Sequence, residues 1–147
     1  MISENKLKHS IGVARECQEI AKQMGKSEDF VDACFVMGFL HDIGYELCDK
    51  DYSEHPSKSV ALLDNFMQHK LGCLRAIENH GTKYEDMSDL DYILNKADLT
   101  VDYDGSKVIM EERLSGIKER YGSDSKNYKD AENMSNSIKQ YELNLNC

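Results

Sequence analysis

The chain has a single proline, Pro56, no stretch of polar–apolar alternation, no CxxC pair and no long apolar run. Each shortage excludes something. Without a period of two there is no basis for a sheet protein, and the helical period dominates instead. The five cysteines, Cys17, Cys34, Cys48, Cys73 and Cys147, are odd in number. With no CxxC they suggest neither a disulfide framework nor a common zinc motif, and they read as reduced thiols of a cytoplasmic protein. A membrane-spanning helix needs roughly 18 apolar residues in a row, and the longest run falls well short. The opening residues, MISENKLKHS, are polar and do not read as a signal peptide. Positive charge is also scarce. The formal net charge is −9, so a basic face for duplex nucleic acid is not expected. A small anionic substrate remains compatible, provided something local and positive holds it.

What is present is an ordinary soluble composition, 147 residues of which 40% are hydrophobic. A chain of this length can bury about 70% of the surface its unfolded form exposes, enough for one core without staples. We find no internal repeat and no low-complexity linker, which suggests a single domain over 1–147.

The period of the apolar residues predicts an all-α fold of about seven helices. Leu7, Ile11, Ala14, Cys17, Ala21 and Met24 form the first stripe, with Gly25 as its stop. Residues 28 to 43 read as a second helix, apolar on nearly all sides and therefore central. Pro56 suits the first turn of a third helix carrying Val60, Leu63 and Met67. Leu71, Leu74 and Ile77 mark a fourth, with Gly81 past its end. Ser88 or Asp89 caps a fifth, whose stripe is Leu90, Ile93, Leu94, Ala97 and Val101. Two more amphipathic segments follow. One is marked by Val108, Ile109, Ile117 and Tyr121, the other by Tyr128, Ala131, Ser135, Ile138, Tyr141 and Leu145. The joint between them is 122–127. These last stripes could complete the core or form a homodimer.

The most informative stretch is FVMGFLHDIGYEL, residues 35 to 47. Eight residues from Ala33 to Leu40 contain nothing polar, and then His41 and Asp42 arrive together. A buried carboxylate needs a cation, a proton or a metal. At a helix C-terminus the macrodipole also disfavours it, which again points to a positive partner. Neighbouring helix residues diverge by about 100°, so both side chains face one partner only if the helix ends there. Gly44 stands where it could release the chain into a turn. Two ordinary readings compete: an exposed helix end, or an Asp42 that caps a neighbouring turn.

Other residues join this pair. His9 lies on the flank of the first stripe. His55 precedes Pro56. His80 ends the fourth helix, where a histidine also suits the dipole. Taken singly, each has a structural reading at a core edge, in a loop or at a helix end. Asp98 sits beside the buried stripe of the fifth helix, where an aspartate has poor propensity and a desolvation cost. His69 fits nothing and reads as solvated. Histidine and carboxylate donors together suit a divalent transition metal such as Fe, Mn, Zn or Ni. No HExxH pattern is present.

The order His9, then His41-Asp42, then Asp98 resembles the H…HD…D signature of the HD-domain metal-dependent phosphohydrolases. GFLHDIGYEL is similar to the central motif of that family, HSIGVARECQEIAKQMG to its first helix and NKADLTVD to its closing Ala-Asp motif. The resemblance covers about residues 4 to 104, leaving the helices of 106–147 unassigned. His55 and His80 fall where a two-metal subset carries two further histidines. EHPSKSVALL and AIENHGTKYEDMSDLDYILNKAD resemble that subset, which includes the HD-type diadenosine tetraphosphate hydrolases. Two positions depart from it. Tyr45 follows HDIG where many two-metal members carry a phosphate-holding lysine, and Ser59 stands where a glycine usually follows the His55 position.

The resemblance implies one or two divalent metal ions. One would take His9, His41, Asp42 and Asp98, and the second His55 and His80, with Asp42 bridging. It implies hydrolysis of a small phosphate ester or anhydride, such as a nucleotide or dinucleotide polyphosphate, by metal-activated hydroxide, with Asp42 as the catalytic residue. Lys58 and Lys83 lie near His55 and His80 in sequence and are candidate phosphate contacts. Two alternatives share the ligands: an HD-fold binding or regulatory module without catalysis, supported by Tyr45, and a di-iron oxygenase.

Overall fold

The computed structural model describes residues 3–48, 52–67, 71–82 and 86–145. Among them seven α-helices run in order: α1 Glu4–Gln23, α2 Glu28–Leu40, α3 His55–Met67, α4 Leu71–Asn79, α5 Asp89–Asp98, α6 Met110–Tyr121 and α7 Lys126–Leu145. The all-α expectation holds. The described residues include one isolated antiparallel bridge, Val101 with Lys107, and no strand.

The helices start where the polar residues direct them. Ser3 caps α1 by accepting from the Lys6 amide. Ser88, rather than Asp89, caps α5. Its hydroxyl accepts from the Asp91 amide and the Asp91 carboxylate accepts from the Ser88 amide, a reciprocal capping box.

α1, α2 and α5 meet at the centre. Val13, Cys17, Cys34, Met37, Ile93 and Leu94 are fully buried there. Gly38 lets α2 approach closely, since a Cβ at that position would sit 2.8 Å from Cys17 Sγ and 2.9 Å from Ala14 Cα. α3 and α4 close one side with Leu63, Leu74 and Ile77. α7 covers α5 from outside. Ala131, Met134 and Ile138 join the core, Tyr141 stacks on Tyr92, and Lys96 of α5 pairs with Glu142.

Several boundaries and faces differ from expectation. α2 ends at Leu40, not at residue 43, and a 3-10 turn over Ile43–Leu47 follows. Nor is α2 buried all round. Val31, Cys34, Met37 and Gly38 face inward, but Val36 and Phe39 are exposed, because neighbouring helices cover only one side. α5 stops at Asp98, and Val101 enters the bridge instead of a last turn. Ile109 is the exposed residue before α6, and α6 buries no residue fully. On α7, Met134 carries the burial that the stripe assigned to Leu145, which is exposed at the free end of the helix.

Candidate metal centre

The apolar helix α2 delivers its histidine into the interior. α2 ends at Leu40, but His41 is fully buried rather than exposed, and Asp42 follows in the turn. The end of the helix releases the backbone so that both side chains face the same space, as the 100° argument requires. Gly44 makes this possible by its size, not by a left-handed conformation, which the described chain reserves for Gly25, Gly81, Gly105 and Gly122. A Cβ on Gly44 would lie 2.1 Å from the His55 carbonyl oxygen. Its amide donates to Ser59 Oγ at 2.8 Å, and the Ser59 hydroxyl donates to the His41 carbonyl at 2.9 Å. Ser59 is therefore a fully buried clamp between the His41-Asp42 turn and α3.

α3 carries His55 one turn before that clamp. α4 ends just before His80, and Gly81, at φ +79°, turns the chain away while its amide donates to Asn95 Oδ1. α1 presents His9 and α5 presents Asp98. Residues far apart in sequence thus converge on one point.

Asp42 Oδ1 lies 3.4 Å from His41 Nε2, 3.2 Å from His55 Nε2 and 3.4 Å from His80 Nε2. Asp98 Oδ1 lies 3.0 Å from His9 Nε2 and 3.7 Å from His41 Nε2. The donor atoms of His9, His41 and Asp42 form one group within 4.8 Å, and those of Asp42, His55 and His80 form another. Asp42 is common to both.

The protonation pattern decides what such a cluster can hold. All four histidines place Nδ1 against a backbone carbonyl: Asp102 for His9, Gly38 for His41, Tyr52 for His55 and Ile77 for His80, at 2.6 to 3.1 Å. A carbonyl only accepts, so each Nδ1 carries the hydrogen. In the neutral ring Nε2 is then an acceptor, and every Nε2 points at the cluster. The carboxylates are acceptors too. His55 Nε2 and His80 Nε2 stand 2.9 Å apart, lone pair against lone pair unless a cation or proton separates them. His41 Nε2 is buried with no hydrogen-bond partner. Such a set of inward-facing acceptors, with His41 Nε2 orphaned among them, fits divalent metal ions, and the Nδ1 bonds fix tautomer and ring direction.

Protons on the imidazoles can take the place of a cation here, and the carboxylates favour them. Burial pushes the Asp42 carboxyl up, but the His41 charge and the hydrogen bonds from His55 and His80 outweigh it and hold it well below the usual range. Burial likewise pushes Asp98 up, and His41 and His9 bring it well below. For His41, burial pulls the imidazole down, and the carboxylates of Asp42 and Asp98 reverse that and raise it. The site is a negative, cation-seeking centre inside the fold.

Of the two lysine candidates, only Lys58 lies among the described residues, and its partners are not in this cluster. Lys58 Nζ is held by Glu54 at 3.0 Å and by the Leu47 carbonyl at 2.9 Å. Lys83 and His69 lie outside the described residues. Sequence reasoning missed several partners. Ser59 was legible only as a departure, although its spacing of four from His55 places both on one helix face. Lys6, three residues before His9 on α1, also shares a face with a ligand. Its ammonium lies 3.6 Å from the centroid of Tyr45, and that ring stacks on His55 at 3.9 Å. Burial pushes the Tyr45 phenol up.

No curated protein and no solved structure matches the chain. A family model does: the HD domain matches residues 7–101, from the first helix through the bridge residue Val101. The matched span contains all six histidine and aspartate residues of the cluster, and the family is characteristic of metal-dependent phosphohydrolases. The chain belongs to the HD domain family.

Proposed function

We propose that this protein is a metal-dependent phosphohydrolase that cleaves a phosphate ester or anhydride of a small molecule, with nucleotides and dinucleotide polyphosphates as the first candidates. The observation that carries the reading is the common orientation of four histidines around Asp42, each with Nδ1 committed to a carbonyl and Nε2 turned inward. His9, His41, Asp42 and Asp98 would hold one divalent transition metal ion. Asp42, His55 and His80 would hold a second. Metal ions bound there supply an activated water at neutral pH and neutralise charge on the phosphoryl group.

The chain's own residues do the rest. Asp42 Oδ1 stands between the two histidine groups, so one carboxylate sets the spacing of both halves. The buried His41 and the Ser59 clamp keep Asp42 from swinging away. Preorganised acceptors need no rearrangement as charge develops. With metal ions bound the centre would become positive, and a chain of net charge −9 would then attract an anion there.

Elemental analysis of the purified protein, followed by a screen of p-nitrophenyl phosphate and nucleotides, tests the reading. Metal-dependent turnover is expected. Full metal occupancy with no turnover of any ester would leave a binding module, and oxygen uptake in its place would leave an oxygenase.

A further inference from the structure

A small cleft opens beside the cluster, and Asp42 is one of the residues that line it. Its walls are largely apolar, with Leu7 of α1, Phe39 of α2 and Ile43 of the following turn. Leu7 and Phe39 are 43% and 37% exposed, so the cleft mouth keeps apolar surface in water. Lys6 lines the same cleft. No described carboxylate lies within ion-pair distance of its ammonium, which rests on the Tyr45 ring instead. Tyr45 has His55 at 3.9 Å and Lys6 at 3.6 Å from its centroid. Two groups that close cannot share one face, so the ring is sandwiched. The ammonium therefore stands one aromatic ring away from a cluster imidazole, in a cleft that Asp42 also lines.

We infer that this cleft is the substrate pocket, that Lys6 binds the phosphoryl oxygens there, and that the wall of Leu7, Phe39 and Ile43 takes an apolar or planar leaving group. The inference rests on the phosphohydrolase reading and narrows its substrate to esters with such a group. Lys6 is suited to the task because its four-carbon stem lets the ammonium leave the Tyr45 face and meet an anion. The ring holds it nearby at little cost, since a cation–π contact at an exposed site is weak. Burial lowers the pKa of the Lys6 ammonium, and the nearby charges of Asp42 and Glu46 act against that shift.

Non-hydrolysable probes separate this inference from catalysis. Metal-loaded wild type, Lys6→Met, Lys6→Arg and Phe39→Ser are titrated with methylphosphonate and phenylphosphonate by calorimetry, with metal content measured alongside. Lys6→Met should weaken both probes about tenfold, the scale of one lost charged hydrogen bond, and Lys6→Arg should recover most of it. Phenylphosphonate should bind about tenfold tighter than methylphosphonate to the wild type, as apolar burial of a ring allows, and Phe39→Ser should erase that difference. Unchanged binding in Lys6→Met, metal loss in that variant, or equal affinity for the two probes in the wild type would overturn the inference. Lys6-dependent probe binding in a protein that hydrolyses no ester would refute the phosphohydrolase reading while leaving the pocket assigned.

Discussion

His41, His55 and His80 are each orientated by a carbonyl three residues earlier in the chain, whereas His9 is orientated by the Asp102 carbonyl, 93 residues away. The reason is where each histidine sits. His41 and His80 follow the last turns of α2 and α4, and His55 begins α3 after a short 3-10 turn. Carbonyls at such ends have no intrahelical partner and are available to a side chain. His9 lies inside α1, where the helix consumes its own carbonyls, so its partner must come from another element. That element is the turn between α5 and α6, closed by Val101 and Lys107 and tied down by Arg113 of α6, whose guanidinium pairs with Asp102 at 3.0 Å. One part of the centre is thus built from helix ends, and the other depends on tertiary packing that reaches past the residues matched by the family model.

The comparison can be broken first at the residue the two parts share. Asp42→Ala should remove both metal equivalents by elemental analysis and cut ester hydrolysis about a thousandfold or more, as losing one member of a catalytic unit does. Retention of one equivalent would mean that Asp42 serves a single half. Next comes the turn that presents it. Gly44→Ala forces a Cβ against the His55 carbonyl, and overpacking of backbone against backbone should cost about 3 kcal/mol, or a Tm drop on the order of 10 °C. A scanning calorimeter trace unchanged by the substitution would contradict the close approach.

The asymmetry itself is sharpened by Arg113→Met. Freeing the Asp102 turn should weaken metal binding on the His9 side about tenfold, the lower end of the range for lost outer partners, and leave the His55–His80 side as it was. Equal loss on both sides in a competitive metal titration would remove the distinction. The smallest effect concerns the core behind the site. Burial pushes the Cys34 thiol up to about 12, so it stays protonated and unreactive well above neutral pH. Peptide mapping after iodoacetamide treatment at pH 8 should find Cys34 unlabelled in the metal-loaded protein. Labelling that appears only after chelation would show that the centre holds the α2 packing together.

Much of this was legible in the chain. The expectation of about seven helices meets seven α-helices among the described residues, because period and capping are local properties of the sequence. Ser88 acts through Asp91, three residues away, a range that a sequence pattern covers. The ends of α2 and α5 were harder to read. Ile43 and Val101 continue the apolar period, yet the first lies in the turn that holds Asp42 and the second pairs with Lys107. In both places tertiary contacts overrode a local preference. Ser59 illustrates the same limit. It departs from a family pattern in sequence, and in space it joins Gly44 to His41.

The sequence by itself determined the helical class, the order of the six histidine and aspartate side chains, and the chemistry those donors favour, since residue type and spacing settle these things. Only the tertiary structure decided that Asp42 Oδ1 faces three imidazoles at once, that His9 leans on Asp102, and that Lys6 stands over Tyr45 at the cleft. Those relations join residues on separate helices, and the distances between helices are set by how their buried faces interlock rather than by any repeat within them.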